Sequence, residues 1–168
     1  MRTGTIGKAE ALLRWLHPQE GLISPARFAP LAEKNGLIAP IGRMAFRAAC
    51  RQLVRWRQRH ALQLSINKSP LEFQQASGDC VVLDFMQSVG LPGSAIAVEI
   101  TEGLLLETAG QVGEQLNALR TAGIHLSLDD FCTGYSSMAY LQKIEIGFIK
   151  IDKAFVRDLE TNPADRVL

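Results

Sequence analysis

Short apolar runs alternate along this chain with longer stretches in which apolar residues recur every third or fourth position, the signature of strands and amphipathic helices in turn. Ala9 to Trp15 (AEALLRW) reads as a strand carrying one acid, Glu10, and one base, Arg14. Ser24-Pro25 opens a helix that runs through Phe28, Leu31 and Ala32 and stops at Gly36. A second helix spans about Pro40 to Arg59, with Ile41, Ala45, Ala49, Leu53 and Trp56 on its apolar face and Arg43, Arg47, Arg51, Arg55 and Arg59 on another. Leu62 to Ser65 alternates into Ile66-Asn67 as a strand. Asp79 to Ser88 is a helix presenting Val81, Val82, Phe85, Met86 and Val89 to the core, and Gly90-Leu91-Pro92-Gly93 ends it.

The second half repeats the scheme. Ala95 to Ile100 is a strand with Glu99 near its end and Glu102 just beyond, followed by a helix through Val112, Leu116 and Leu119 that Gly123 closes. His125 to Leu128 is a strand that drops into Asp129-Asp130. Ser136 or Ser137 caps a short helix over Met138 to Lys143, and Gly147 to Ile151 is the last strand. Strands alternating with helices at a repeat of about 30 residues predict a parallel sheet covered by helices, an α/β fold.

The polar residues keep step with that repeat. Glu10, Asn67, Glu99, Asp129 and Lys150 each fall at the C-terminal end of a different strand, spaced by 57, 32, 30 and 21 residues. In a (β/α) barrel those ends line one mouth, where such folds do their chemistry. Apolar strands have little structural use for charge at five such positions.

The residue types narrow the chemistry. Adjacent Asp129 and Asp130 repel unless a positive charge neutralises them. Carboxylates and an amide oxygen are hard ligands, suited to Mg²⁺ or Mn²⁺ rather than copper or structural zinc. Several at one mouth can hold one or two such ions, and a two-ion site clamps the attacking water and leaving oxygen of a phosphodiester displacement. Lys150 beside the ions would have its pKa lowered by their charge, and would then orient or deprotonate the water. The plainer alternatives are that Asp129-Asp130 opens a turn and that Lys150 makes a salt bridge to Asp129 or Asp152. The arginine stripe has a phosphate-binding reading, but a solvated outer face is commoner and no aromatic platform accompanies it.

Composition changes this picture little. At 168 residues, 47% apolar and 21% charged, the chain fits one ordinary globular domain over 1–168, and a formal charge of +1 gives no global reason for nucleic acid or anionic membrane as partner. No run approaches the roughly 20 apolar residues of a membrane span, and Met1 to Glu10 lacks a signal-peptide core, so a cytoplasmic location is expected. Cys50, Cys80 and Cys132 form no CxxC pattern and read as reduced thiols.

Six segments in order carry a family resemblance: EALLRW at Glu10 to Trp15, SPARFAPLAEKNGLIAPIG, Asn67-Lys68-Ser69, EITE at Glu99 to Glu102, DDFCTGYSS at Asp129 to Ser137, and KIDKAFV at Lys150 to Val156. Together they closely resemble the EAL domain family of bacterial cyclic di-GMP phosphodiesterases. That resemblance implies that Glu10, Asn67, Glu99 and Asp129 are metal ligands, with Asp130 at the second metal position and Asp152 a further metal-proximal acid. It implies that Lys150 acts on the nucleophilic water, that Leu12 and Arg14 contact substrate, and that Glu102 braces the loop after the Asp pair. The implied reaction is hydrolysis of one phosphodiester of cyclic di-GMP to linear pGpG with Mg²⁺ or Mn²⁺, two ions in the complete domain.

Three departures accompany it. Cys132 stands where the family usually has glycine, which stiffens the loop if the glycine used a positive φ. Lys68 stands where an apolar residue is usual, placing a charge next to a metal ligand. Most of all, the chain lacks the strand that normally precedes the EAL motif and the family's last two strands. The implied fold is therefore an incomplete TIM-type barrel of about five parallel strands, and little or no turnover is expected of these 168 residues alone. Its open edges invite a homo-oligomer or the missing segments of a parent protein as partners. A non-catalytic cyclic di-GMP sensor and a structural interaction fragment are the competing functional readings.

Overall fold

The structure is a computed structural model that describes residues 4, 6–74, 78–105, 110–131, 146–152 and 157, the side chains at 78–80, 130 and 131 excepted. Five strands form one parallel sheet in chain order: β1 (Lys8–Ala11), β4 (Gln63–Asn67), β5 (Ile96–Thr101), β6 (His125–Phe131) and β7 (Phe148–Ile151). Sequential neighbours in an all-parallel sheet are the order of a (β/α) barrel, and the sheet curls into part of one. Between strands lie α1 (Pro25–Lys34) and α2 (Ile38–Arg57), α3 (Pro70–Phe73) and α4 (Gly78–Ser88), then α5 (Glu102–Leu105) and α6 (Gln111–Thr121).

Period-two alternation sorts the strand residues onto two faces. On β4, β5 and β6 the face under the helices is apolar: Leu64 and Ile66, Ile96, Val98 and Ile100, and Leu126 and Leu128 are all buried. Against them pack Phe46, Cys50 and Leu53 of α2, Phe73 of α3, Val82 and Met86 of α4, and Val112, Leu116 and Leu119 of α6. Each such side chain removed from water contributes about 1.5–3 kcal/mol before the cost of ordering it. Gly93 is required by this packing, because a Cβ there would overlap the Ala122 carbonyl. The other face, the barrel interior, carries Glu10, Ser65, Asn67, Glu99, Ser127 and Asp129.

Several predicted elements are redrawn. The strand expected over Ala9 to Trp15 ends at Ala11, and Trp15–His17 (β2) instead forms a small antiparallel ribbon with Gly21–Ile23 (β3). Trp15 is held there by edge contacts with His17 and Phe28 at 5.3 and 5.9 Å, which draws the chain away from the sheet. The expected apolar face of α2 is also rotated. Only Leu53 of the five named residues is buried, and the inward set is Ala39, Phe46, Cys50 and Leu53, while Trp56 is 43% exposed. Arg47 and Arg51 of the arginine stripe lie over the Phe85 ring at 5.6 and 5.5 Å, so part of the stripe clasps α4. The helix expected over Met138 to Lys143, with its capping serines and Cys132, falls outside the described residues.

β6 departs from expectation in a way that matters for the site. It does not stop at Leu128 but continues through Asp129, Asp130 and Phe131. Leu128 pairs with Ile149 and Phe131 with Ile151, so two aspartates oppose the single residue Lys150. This is a β-bulge, a device that re-aims side chains at strand ends.

Candidate active site

Five residues from five strands meet at the C-terminal mouth of the curled sheet. Asn67 donates from Nδ2 to Glu10 Oε1 at 2.9 Å, tying β4 to β1. Lys150 donates from Nζ to Glu99 Oε2 at 2.7 Å, to Glu10 Oε2 at 3.3 Å and to Asp129 Oδ2 at 3.5 Å. The register places them at staggered heights: Glu10 beside Ser65, Asn67 beside Glu99, and Thr101 beside Asp129. That stagger is the strand tilt of a barrel, and it converts residues far apart in sequence into a ring.

Glu99 is the most enclosed of the acids, 3% exposed. Burial pushes its pKa above the usual carboxylate range; the Lys150 hydrogen bond opposes this, the Glu10 charge adds to it, and Ser65 lowers it by a hydrogen bond. For Lys150, burial by itself would lower the pKa. The hydrogen bond and charge of Glu99, then the charge of Asp129 and the bond to Glu10, outweigh burial and hold the amine above the usual lysine range. The lowered lysine pKa expected from the sequence presupposed neighbouring cations, and the carboxylates acting alone have the opposite sign. Lys150 is thus an ammonium here, a donor rather than a base.

The remaining predicted residues fall around this ring. Leu12 and Arg14 are exposed on the segment after β1 and line, with Glu10, Asn67, Glu99 and Asp129, a cleft of about 580 Å³. Arg14 spends one donor on the Leu13 carbonyl at 2.8 Å. Lys68 also lines that cleft, with its amine 4.0 Å over the Phe73 ring and its backbone N–H donating to the Glu99 carbonyl at 3.0 Å. Asp152 is half-buried and immediately follows the last residue of β7. Glu102 opens α5 with both carboxylate oxygens buried and no hydrogen-bond partner among the described residues; the loop it is expected to brace lies outside them, as does the Asp130 side chain.

Sequence reasoning missed Ser65, whose hydroxyl supports Glu99. The signal was present in the alternation Gln63, Ser65, Asn67, which puts three polar residues on the interior face of one strand. It also missed a second interior contact at the opposite end, where Lys8 Nζ of β1 stands 3.1 Å from the Phe148 ring centroid of β7 and His125 meets Phe148 edge-on at 6.0 Å.

The donor chemistry of the mouth fits a hard divalent cation: three carboxylates and an amide converge, and their charge exceeds what one ammonium neutralises. Among the described residues no three acids, histidines or cysteines already stand in a coordinating cluster, and the three carboxylates each reach Lys150.

Fold and site together define a (β/α)-barrel region with an acidic mouth at its strand C-termini. The chain belongs to the EAL domain family, whose model matches residues 1–168. It is 40% identical over 162 residues to the cyclic di-GMP phosphodiesterase PA2567 of Pseudomonas aeruginosa, covering 96% of this chain and 28% of that protein. It is 40% identical over 159 residues to the protein y4lL of Sinorhizobium fredii, covering 95% of this chain and 19% of that one. The chain thus spans less than a third of the curated relatives it matches. Among solved structures, the PaMucR phosphodiesterase in complex with c-di-GMP superposes with a TM-score of 0.88 at 40% identity, covering 96% of this chain and 66% of that one. The cAMP- and cyclic-di-GMP-bound form of the EAL enzyme Bd1971 superposes with a TM-score of 0.90 at 31% identity, covering 99% and 46%. No described helix is long and apolar enough to cross a membrane.

Proposed function

We propose that this chain supplies the metal-binding mouth of a cytoplasmic cyclic di-GMP phosphodiesterase, which hydrolyses one phosphodiester of the cyclic dinucleotide to linear pGpG. The observation that carries the reading is the convergence of Glu10, Asn67, Glu99, Asp129 and Lys150 from five strands on one point. Glu10, Asn67, Glu99 and Asp129 would hold Mg²⁺ or Mn²⁺, with Asp130 at a second metal position and Asp152 a further acid near the ions. Such ions, when bound, supply positive charge that activates water and stabilises the departing oxygen.

The chain's own residues do the rest. Asn67 fixes the Glu10 carboxylate through the 2.9 Å bond, so the acid is already oriented. Lys150 faces the same mouth and orients the attacking water by a hydrogen bond, one lone pair of the water toward phosphorus. Arg14, at the cleft wall, places guanidinium donors toward a phosphate, and Leu12 offers an apolar surface to a base. Water attacks phosphorus and the ring-closing P–O bond breaks; the proton that the water gives up balances the one that the displaced sugar oxygen takes.

The test is pGpG formation with Mn²⁺, for this chain and for a version extended by the flanking strands. The extended protein is expected to hydrolyse and the 168-residue chain to do so weakly, since loss of ligands costs orders of magnitude. An inactive extended protein overturns the reading, and tight binding without cleavage would replace it by a sensor.

A further inference from the structure

Glu99 is 3% exposed and cannot draw a counter-charge from solvent, so its ionised form depends on a cation supplied from within the molecule or by a ligand. Lys150 supplies it, and at the same time reaches Glu10 and Asp129, so one ammonium stands against three carboxylates from three other strands. Those carboxylates are the donors a hard divalent ion in the mouth would compete for. A lone pair aimed at an ammonium 2.7 Å away is not available to an ion at roughly 2.0–2.1 Å, and two cations brought that close repel strongly.

We propose that Lys150 is an exchangeable counter-ion of the mouth: its ammonium holds Glu10, Glu99 and Asp129 together until a divalent cation is taken, and is displaced from Glu99 by that cation. This rests on the reading of the mouth as a divalent-cation site. Displacement has a functional consequence, because the amine released from Glu99 keeps its place on β7 and turns its donors to whatever lies in the cleft. Ion uptake thereby arms the residue that orients the water. Affinity for the ion is set partly by the work of moving Lys150. Lys8 provides the internal control, since it also joins the two edge strands but does so through Phe148 at the opposite end of the interior.

The test is calorimetric titration with Mn²⁺ and thermal melting, on the whole chain after chelator treatment, for wild type, Lys150→Met, Lys150→Arg and Lys8→Met. Lys150→Met is expected to bind Mn²⁺ about tenfold tighter than wild type. It should melt lower without Mn²⁺ and show the larger gain in Tm when Mn²⁺ is added. Lys150→Arg should bind no tighter than wild type, and Lys8→Met should match wild type in affinity. Lys150→Gln, neutral but polar, carries the same expectation if the methionine variant does not fold. Equal or weaker Mn²⁺ binding by the neutral variants overturns the proposal, as does equal tightening in Lys8→Met. Absence of Mn²⁺ binding in wild type and neutral variants alike overturns it together with the metal reading. A chain whose affinity tightens as expected while the extended protein makes no pGpG would sink the phosphodiesterase reading and leave the exchange standing.

Discussion

Lys150 Nζ lies 3.3 Å from Glu10 Oε2, joining two residues 140 positions apart that belong to the two edge strands of the sheet. The bond spans the interior of the curled sheet rather than running along it, so it measures closure of the mouth. Both side chains are about a third exposed, which limits its worth to that of a screened pair. A double-mutant cycle of Glu10→Gln and Lys150→Met is expected to give a coupling of about 0.5–1 kcal/mol in unfolding free energy. A coupling of zero in low salt would mean that the edges are held by other contacts.

Asp129→Asn keeps shape and removes one negative charge from the mouth. Mn²⁺ affinity should fall by at least the roughly 10- to 100-fold that loss of a supporting partner costs. The melting temperature without Mn²⁺ should change little, because Lys150 retains Glu99 and Glu10. Unchanged Mn²⁺ affinity in calorimetry would reduce Asp129-Asp130 to a turn-like bulge with no ligand role.

Cys50 is fully buried on α2, and burial pushes its thiol up from 9.0 to about 12. The folded pKa lies above the unfolded one, so folding favours the protonated thiol. Its contribution is complete below pH 9.0 and is lost as pH rises toward about 12. Wild type should lose stability across that alkaline window more steeply than Cys50→Val, read by chemical denaturation at each pH. Iodoacetamide at neutral pH should spare Cys50 in the native protein and label it in urea. Rapid native labelling at that site would show that the core around α2 opens.

Phe148, Ile149 and Ile151 of edge strand β7 are 42%, 46% and 57% exposed. An apolar strand with an unpaired edge is a template for another chain. Sedimentation of the 168 residues should show self-association that rises with concentration, and Ile149→Lys with Ile151→Lys should weaken it. A monodisperse wild-type monomer at micromolar concentration would mean that the edge is covered.

Much of the arrangement was legible in order along the chain. The alternation of apolar runs and amphipathic stretches is local, so the strand–helix repeat, the parallel sheet and the acids and lysine assigned to the mouth could all be read from spacing. What local pattern could not decide was which way a face turns. The apolar stripe Ile41, Ala45, Ala49 and Trp56 looked like core by periodicity, yet α2 turns Phe46 and Cys50 inward, because ring and thiol fill the space over the sheet while the stripe borders the cleft. Likewise the strand after Glu10 ends early, since Trp15 finds His17 and Phe28 on a ribbon no periodicity announces.

The sequence by itself determined which residues carry charge and on which strand each one sits, since both are written in residue type and spacing. Tertiary structure alone decided their relation: the stagger that brings Glu10 and Lys150 together, the bulge that sets Asp129 and Asp130 against one lysine, and the sign of the shift on Lys150. The physical reason is distance. Electrostatic interaction depends on separations of a few ångströms between groups far apart along the chain, and only the folded sheet sets those separations.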